Sequence, residues 1–277
     1  MEFVGRRLFR ERSHPDLMKK RDGFWRQFLL RTVMVLVLVV LVFSLCQVIR
    51  CLKAKAESET LHTQMAELAV RPVPQSPPTE VVQTDLPELP QTPITVDLAL
   101  LKAQNEDIVA WLYCPDTPID HPVVQGEDNR YYLEHMVDGG QNPAGAIFLD
   151  CRSAAAMTDS YSVIYGHNLR DLTMFGSLPN YAEQAYYDAH PIMFLLTPEK
   201  GFAIELFAGF VTESDDGLYT LPITDLTRAE LIENCMERSD FVPQRQPSAD
   251  ERLIVLSTCS YAFEDARYVL VGALREN

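Results

Sequence analysis

Residues 32–49 form a run of eighteen residues without a charged side chain, TVMVLVLVVLVFSLCQVI. A helix of that length approaches the ~20 residues needed to cross the hydrocarbon core of a bilayer. The run therefore predicts a membrane-spanning helix near the N-terminus. It limits the rest of the chain to a short segment before the membrane and a large body after it.

A cleaved signal peptide is the alternative interpretation of this run. The run is longer than the usual apolar region of a signal peptide, and no A-x-A-like cleavage site precedes the charges that follow it. Residues 1–31 contain nine Lys/Arg and four Asp/Glu, an excess that predicts a cytoplasmic N-terminus and a body outside the cell. We assign residues 1–31 to a basic cytoplasmic tail and residues 32–50 to a single-pass signal anchor.

The body that follows is strongly acidic. The chain has 24 Lys/Arg and 39 Asp/Glu in all, so fifteen and thirty-five of these follow residue 31. Such a body would repel the phosphates of a nucleic acid, which is therefore not expected as a partner. A basic head beside an apolar run instead predicts a membrane partner.

The six cysteines, at positions 46, 51, 114, 151, 235 and 259, show no CxxC pair or other spacing typical of metal ligands. The carboxylates are scattered, without the acidic cluster of a calcium site. We therefore predict no metal and no cofactor. Cys114, Cys151 and Cys235 are interpreted as small core or surface residues, without a disulfide among them.

Residues 51–95 are predicted to form an extracellular stalk that is rich in proline from residue 71. Its first part, residues 53–70, is polar with scattered Leu and Ala and could continue the helix. Residues 71–94 contain seven prolines and few large apolar side chains. Such a segment tends toward extended polyproline II and cannot bury a core, so it indicates a spacer. The folded domain is assigned to residues 96–277.

Short apolar runs bounded by turn residues predict that this domain is mainly β. We interpret as strands the runs at 108–114, 119–124, 146–150, 161–165, 192–196 and 202–212 and the final pair within 253–271. Helical segments are predicted within 97–105, 128–133 and 174–190 and from the capping box TRAE at 227–230. About seven strands with so few helices favour a β-barrel decorated with helices over a parallel α/β sheet.

The final strand pair carries two chemically notable residues. Its first apolar run ends at Cys259, a short polar loop follows, and the second run opens with Arg267. Paired strands would bring the thiol and the guanidinium to the same end of a sheet. Each residue also has a plain structural interpretation, Cys259 as a small buried hydrophobe and Arg267 as an edge arginine paired with Glu264 or Asp265.

A reactive thiol needs a partner, because free cysteine has a pKa of ~8.5 and is mostly protonated at neutral pH. Of the six histidines, His167 follows an apolar strand and a glycine that permits a tight turn, so its ring can project outward. The other five are assigned elsewhere: His14 to the cytoplasm, His62 to the stalk, and His121, His135 and His190 to surface or capping roles.

Two groups of motifs in this order resemble the sortase signature. They are IYGHN at 164–168 with MFGSL at 174–178, and LSTC at 256–259 with Arg267. Three more stretches narrow the resemblance to class B sortases: WL at 111–112 with PVVQ at 122–125, DNRYYL at 128–133, and GAIFLD at 145–150. The resemblance extends over residues 97–275. Cys114 is a departure, since an apolar residue is ordinary at that position.

The resemblance implies a closed sortase-type barrel and a cysteine transpeptidase on the outer face of a Gram-positive-type membrane. Cys259 would attack the carbonyl of a threonine in a C-terminal sorting motif of a secreted protein and form an acyl-thioester. His167 would act as general acid and then as base, and Arg267 would stabilise the oxyanion or position the threonine. The candidate substrate-binding residues are Ser257, Thr258 and Asn168.

The acceptor implied by the resemblance is an amine, from a peptidoglycan precursor or from a pilin lysine. Two alternatives stay open: a membrane-tethered cysteine protease that ends in hydrolysis, and a sortase-like binding module without turnover. The papain-type CGSCW signature is absent, and the histidine precedes the cysteine in the chain. The complete His, Cys and Arg set favours an active transpeptidase.

Overall fold

The structure of the protein is a computed structural model that describes residues 15–73, 91–220 and 225–276. The chain divides into two compact units, Met1–Lys53 and Ala54–Asn277. Most of the proline-rich stalk predicted for residues 71–95 lies outside the described residues, as does the start of the basic tail. The predicted domain boundaries therefore stay predictions.

Helix α1 runs from Pro15 to Ala69. Its described side chains between Trp25 and Arg50 are exposed, including a long succession of Val and Leu. Within the part of the chain that the structure describes, α1 is the one helix long and apolar enough to cross a membrane. This agrees with a membrane-spanning helix, whose orientation and uncleaved state stay predictions.

The second unit is built on a closed barrel with the strand order β10-β8-β7-β3-β4-β5-β6-β9. Its strands are β3 (Ile108–Tyr113), β4 (Asp120–Val124), β5 (Ile147–Leu149), β6 (Tyr161–Tyr165), β7 (Ile192–Leu196), β8 (Gly201–Glu213), β9 (Arg252–Cys259) and β10 (Ala266–Glu276). Pairs β4–β5 and β6–β9 are parallel, and the other neighbours are antiparallel. The predicted mainly β, closed-barrel fold is confirmed.

Helices and a small sheet surround the barrel. They are β1 (Val70–Pro72), β2 (Ile94–Val96), α2 (Leu98–Lys102), α3 (Gln184–Ala189) and α4 (Asp225–Arg238). Three helix predictions differ in extent, and the one within 128–133 is a 3-10 turn at Tyr131–Leu133. The segment predicted within 174–190 contains a 3-10 turn at Leu178–Ala182 before the short α3, and α4 begins at Asp225, so that the capping-box Thr227 lies inside the helix.

Strand β9 shows why the apolar runs of the sequence are nearly continuous. Ile254 and Leu256 lie in the barrel core, whereas Leu253 and Val255 are buried in a second cluster with Ile232 of α4. Side chains alternate between the two faces of a strand, and here both faces are covered. Since burying each such side chain contributes about 1.5–3 kcal/mol, both layers hold β9 in place.

The end of α1 packs against the barrel within the second unit. Strand β1 pairs with β2, and Met65 and Ala69 are buried in a cluster with Leu98. On the same helical segment, the ring centroid of His62 lies 4.5 Å from that of His121, which is only 6% exposed. The surface or capping role predicted for His121 is therefore wrong, because the helix covers this residue.

Candidate active site

Strands β9 and β10 place Cys259 directly opposite Arg267. The two residues are antiparallel partners at the end of the pair, and the N–H of Ser260 donates to the carbonyl of Ala266 at 2.8 Å to close the connecting loop. Residues directly opposite on paired strands project from the same face of a sheet. The thiol, which is exposed, and the guanidinium therefore share one edge of the barrel, as the sequence predicts.

Strand β6 brings His167 to this edge. It runs parallel to β9 with Tyr165 opposite Ser257, and His167 and Cys259 each come two residues later. The segment after β6 is also bonded to the end of β9, because the side-chain amide of Asn168 donates to the carbonyl of Cys259 at 2.8 Å. The register of these three neighbouring strands thus brings His167, Cys259 and Arg267 to the same edge of the barrel.

A backbone carbonyl orients the imidazole of His167. The Nε2 atom lies 2.7 Å from the carbonyl oxygen of Leu133, which ends a 3-10 turn at Tyr131–Leu133. A carbonyl oxygen can only accept, so Nε2 carries a proton and Nδ1 is the nitrogen left for a second partner. This contact assigns the tautomer of the neutral ring.

Gly145 makes room for this contact. A Cβ atom at this position would lie 2.6 Å from the carbonyl oxygen of Tyr132, 2.8 Å from that of Leu133 and 3.1 Å from Cδ2 of His167. Its φ of +61° also lies in the left-handed region that favours glycine. A side chain here would push against both the imidazole and the carbonyl that orients it.

Comparison with known proteins decides the family. The chain is 33% identical over 181 residues to sortase B of Listeria monocytogenes, an alignment that covers 64% of this chain and 74% of that protein. It resembles the crystal structure of sortase B from B. anthracis with a TM-score of 0.67 at 25% identity, over 82% of this chain and all of that one. The chain belongs to the class B sortases.

A second solved structure, the Staphylococcus aureus sortase B–substrate complex, is similar with a TM-score of 0.61 at 26% identity, over 64% of this chain and 83% of that chain. No protein-family model matches the chain. As a class B sortase, the protein is a cysteine transpeptidase, and the family predicted from the motifs is confirmed.

The guanidinium of Arg267 in this sortase has no carboxylate partner among the described residues. Its Nη1 donates to the carbonyl oxygens of Asp265 at 3.2 Å and Ala266 at 3.1 Å. The alternative interpretation, in which Arg267 pairs with the carboxylate of Glu264 or Asp265, is therefore wrong. Because arginine is always charged, the guanidinium is held by backbone dipoles with its positive charge uncompensated.

Two tyrosines that sequence reasoning did not single out line this edge of the sortase barrel. The rings of Tyr165 and Tyr219 stack with centroids 6.2 Å apart, and the hydroxyl of Tyr219 lies 2.8 Å from Oγ of Ser257. Ser257 precedes Cys259 by two residues and so faces the same side of β9. Tyr219 ends a 3-10 turn at Gly217–Tyr219 between β8 and α4, where no local pattern marks it as part of the site.

The three predicted substrate-binding residues are placed differently. Asn168 bonds the backbone of Cys259, and the hydroxyl of Ser257 is taken by Tyr219. The side chain of Thr258 alternates to the other face of β9 and is buried, with no hydrogen-bond partner for its hydroxyl among the described residues. Its predicted role in binding stays a prediction.

Asp150, at the end of β5, is a second group that the sequence did not reveal. Its side chain is fully buried, and it accepts hydrogen bonds from Asn129, Arg152 and Tyr165. Burial raises the pKa of this carboxyl, but the bonds from Arg152 and Tyr165 outweigh that effect and leave the pKa below its ordinary value. Burial also raises the pKa of Tyr165 and Tyr219, so both phenols stay neutral.

A metal centre is not evident at this edge. Over the described ranges 15–73, 91–220 and 225–276, no group of three or more His, Cys, Asp or Glu side chains is arranged to hold a metal ion. The described side chains at this edge supply a thiol, an imidazole, a guanidinium and phenol hydroxyls.

Proposed function

We propose that this sortase cleaves a C-terminal sorting motif of secreted proteins after a threonine and transfers the acyl group to an amine. Cys259 is the nucleophile, His167 the acid and base, and Arg267 the oxyanion donor. The observation that carries the proposal is the juxtaposition of these three residues at the ends of β6, β9 and β10. The predicted mechanism requires His167 to lie near Cys259, although the two residues are 92 positions apart in the chain.

In the first half-reaction the thiol of Cys259 gives its proton to Nδ1 of His167, and the resulting thiolate bonds to the carbonyl carbon of the threonine. The tetrahedral intermediate collapses as the carbon–nitrogen bond breaks, and His167 donates a proton to the departing amine. The carbonyl of Leu133 supports this role because it keeps the Nε2 proton and directs Nδ1 to the exchange. The product of this step is an acyl-thioester on Cys259 and a released C-terminal peptide.

Arg267 stabilises the negative charge that develops on the threonine oxygen. Its guanidinium is always protonated and, in the described contacts, shares its donors only with backbone carbonyls, so donors remain for an oxyanion. Removing one donor of this kind commonly costs about a hundredfold to a thousandfold in turnover.

In the second half-reaction an amine attacks the thioester and gives its proton to His167, and the carbon–sulfur bond breaks to regenerate the thiolate. The amine belongs to a peptidoglycan precursor or to a pilin lysine. The similarity to a sortase B solved with its substrate supports a peptide as the acyl donor. The same thioester attacked by water would give hydrolysis, the reaction of the competing cysteine-protease hypothesis.

We further infer that α1 anchors the enzyme in the cell membrane with its basic N-terminus in the cytoplasm. The apolar stretch of α1 and the positive charge before it support this orientation. Residues 96–277 then act outside the cell, where secreted proteins and wall precursors meet.

The test uses the full chain in detergent micelles. It is incubated with a library of quenched fluorescent peptides that carry threonine at the cleavage position, with and without an amine such as triglycine or lysine. We expect a mass shift on Cys259 equal to the acyl fragment and an amine-dependent ligation product. Cys259→Ala should abolish both, whereas Cys51→Ala, which removes another exposed thiol, should retain both.

Two outcomes would contradict the proposal. If every amine offered gives only hydrolysis, the protein is a protease and not a transferase. If no peptide leaves an acyl group on Cys259, the protein is a binding module.

A further inference from the structure

The buried carboxylate of Asp150 has no place in the proposed chemistry, yet it is the most heavily bonded side chain beside the site. Oδ1 accepts from the N–H and Nε of Arg152 at 2.9 and 2.8 Å. Oδ2 accepts from Nη2 of Arg152 at 2.7 Å, the amide of Asn129 at 2.9 Å and the hydroxyl of Tyr165 at 3.0 Å. A buried charge is costly unless it is paired and hydrogen-bonded, and this one is both.

Each partner of Asp150 belongs to a different segment around Cys259. Asn129 precedes the 3-10 turn whose last carbonyl, that of Leu133, orients His167. The amide oxygen of Asn129 also accepts the N–H of Cys151 at 2.8 Å, so both ends of this side chain are fixed. One bond from Asp150 thus reaches the segment that orients the imidazole.

The other two partners hold the tyrosine wall, by which we mean the stacked rings of Tyr165 and Tyr219. Tyr165 ends β6, and its hydroxyl bonds Asp150 directly. Arg152 donates from Nη2 to the carbonyl of Tyr219 at 3.2 Å, which ties the segment after β8 to the same carboxylate. Both tyrosines beside Ser257 are therefore linked to the Asp150 carboxylate, Tyr165 directly and Tyr219 through Arg152.

We propose that Asp150 is a positioning residue for substrate binding, which holds the tyrosine wall and the segment before Leu133 around the strand that carries Cys259. The inference rests on the proposed function and deepens it, because it names what shapes the surface beside Cys259 that would receive the peptide. None of the bonds to Asp150 comes from Cys259 or Arg267. The carboxylate therefore sets the binding surface while leaving the thiol and the oxyanion donor as they are.

The closing experiment compares Asp150→Asn with the wild-type full chain. An amide nearly preserves the shape but removes the charge and turns one acceptor into a donor, which opposes the bonds from Tyr165, Asn129 and Arg152. With the library peptide that the wild type cleaves fastest, we expect kcat/KM to fall about tenfold to a hundredfold, mostly through KM. The rate of Cys259 alkylation by iodoacetamide across pH 5–9 should stay within about twofold of the wild-type rate, because it reports the thiolate and not the peptide-binding surface.

Two further variants keep the test informative if Asp150→Asn folds poorly. Tyr165→Phe removes one bond to the carboxylate and should lower kcat/KM roughly fivefold, again through KM. Its effect should largely disappear in the Asp150→Asn background, since both changes break the same link. Glu205→Gln, which opens ion pairs to Arg245 and Arg275, is the matched control and should leave KM unchanged.

Hydrogen exchange gives a readout that does not depend on turnover. In Asp150→Asn we expect faster exchange in residues 129–133 and 217–220 and unchanged exchange in β7 and β8. The inference is overturned if exchange in both segments is unaltered, or if Asp150→Asn and Tyr165→Phe keep the wild-type KM. Failure of the proposed function would look different, because the wild type itself would then form no acyl-enzyme.

Discussion

The two ends of the β9–β10 pair carry the same residue type in opposite electrostatic settings. At the end away from Cys259, Nη1 of Arg275 lies 3.1 Å from Oε1 of Glu205, and Arg245 forms ion pairs with both Glu205 and Glu251. Nη2 of Arg252 lies 2.9 Å from Oε1 of Glu276. At the other end Arg267 bonds only backbone carbonyls among the described residues. A paired arginine stabilises a fold, whereas an uncompensated one is available to a ligand.

The difference follows from where the carboxylates are placed. The paired end has three acidic side chains, Glu205 of β8, Glu251 before β9 and Glu276 of β10, and each is bonded to an arginine or lysine. Glu205 and Glu251 are mostly buried, whereas Glu276 is exposed. In the loop between β9 and β10, Glu264 and Asp265 are near Arg267 in sequence, but their side chains do not bond it. The open end therefore combines a free thiol with a charge that no side chain in the described part of the chain neutralises.

The largest effect at the open end is expected from His167→Ala. Loss of the proton carrier should lower kcat/KM about a thousandfold or more without a large change in thermal stability. His190→Ala, at the end of α3, is the matched control and should change kcat/KM less than about twofold. Peptide turnover and thermal unfolding measure both. Near-normal turnover in His167→Ala would remove this residue from the mechanism.

Arg267→Lys compares the two ends directly. An ammonium keeps the charge but lacks the planar fork, so kcat/KM should fall about a hundredfold. Arg275→Lys, on the same strand, should leave turnover unchanged and lower the melting temperature instead. If the two variants behave alike, Arg267 is a structural residue and the contrast between the ends has no functional meaning.

Much of the fold was predictable because its signals are local. The β-branched runs of β6, β9 and β10 are visible in the sequence, and so is the hairpin turn between β7 and β8. The parallel pairing of β6 with β9 is not, since it joins Tyr165 to Ser257 across most of the domain. The resemblance to class B sortases, and not periodicity, predicted that His167 and Cys259 come together.

The misses at the site have the same cause. Asp150 closes the GAIFLD motif, but nothing local says that its partners are Asn129 and Tyr165. Tyr219 ends a short 3-10 turn, and only the folded chain brings it to Ser257. His121 lies between Asp120 and Pro122 in sequence, and it is buried because the end of α1 covers it. Groups whose roles depend on distant partners carry no signal in their own surroundings.

At the paired end, Glu205→Gln should reduce stability without affecting catalysis. The carboxylate receives bonds from Arg245 and Arg275, and its side chain is 21% exposed. Weakening the bonds to these two partly exposed arginines should lower the free energy of unfolding by about 1 kcal/mol. Urea denaturation measures this loss, and the peptide assay should give wild-type kcat and KM. A loss of activity larger than the loss of folded protein would contradict the separation of the two ends.

The smallest expected effect is the pH dependence contributed by Glu251. Burial raises the pKa of this carboxyl, but the bonds from Arg245 and the N–H of Ser248 outweigh it, so the pKa lies below the ordinary value of 4.5. A carboxyl with a lowered pKa stabilises the fold above its unfolded pKa and loses that contribution as pH falls through its folded pKa.

The unfolding free energy of the wild type should therefore exceed that of Glu251→Gln by a constant amount, at most about 1 kcal/mol for so solvent-screened a pair, from pH 7 to 5. The difference should shrink below about pH 4.5, the ordinary pKa at which Glu251 is half-protonated in the unfolded chain. Denaturation at pH 6, 4.5 and 3.5 measures it. A difference that does not change with pH would mean that Glu251 acts through packing, and the paired end would then be held by shape as much as by charge.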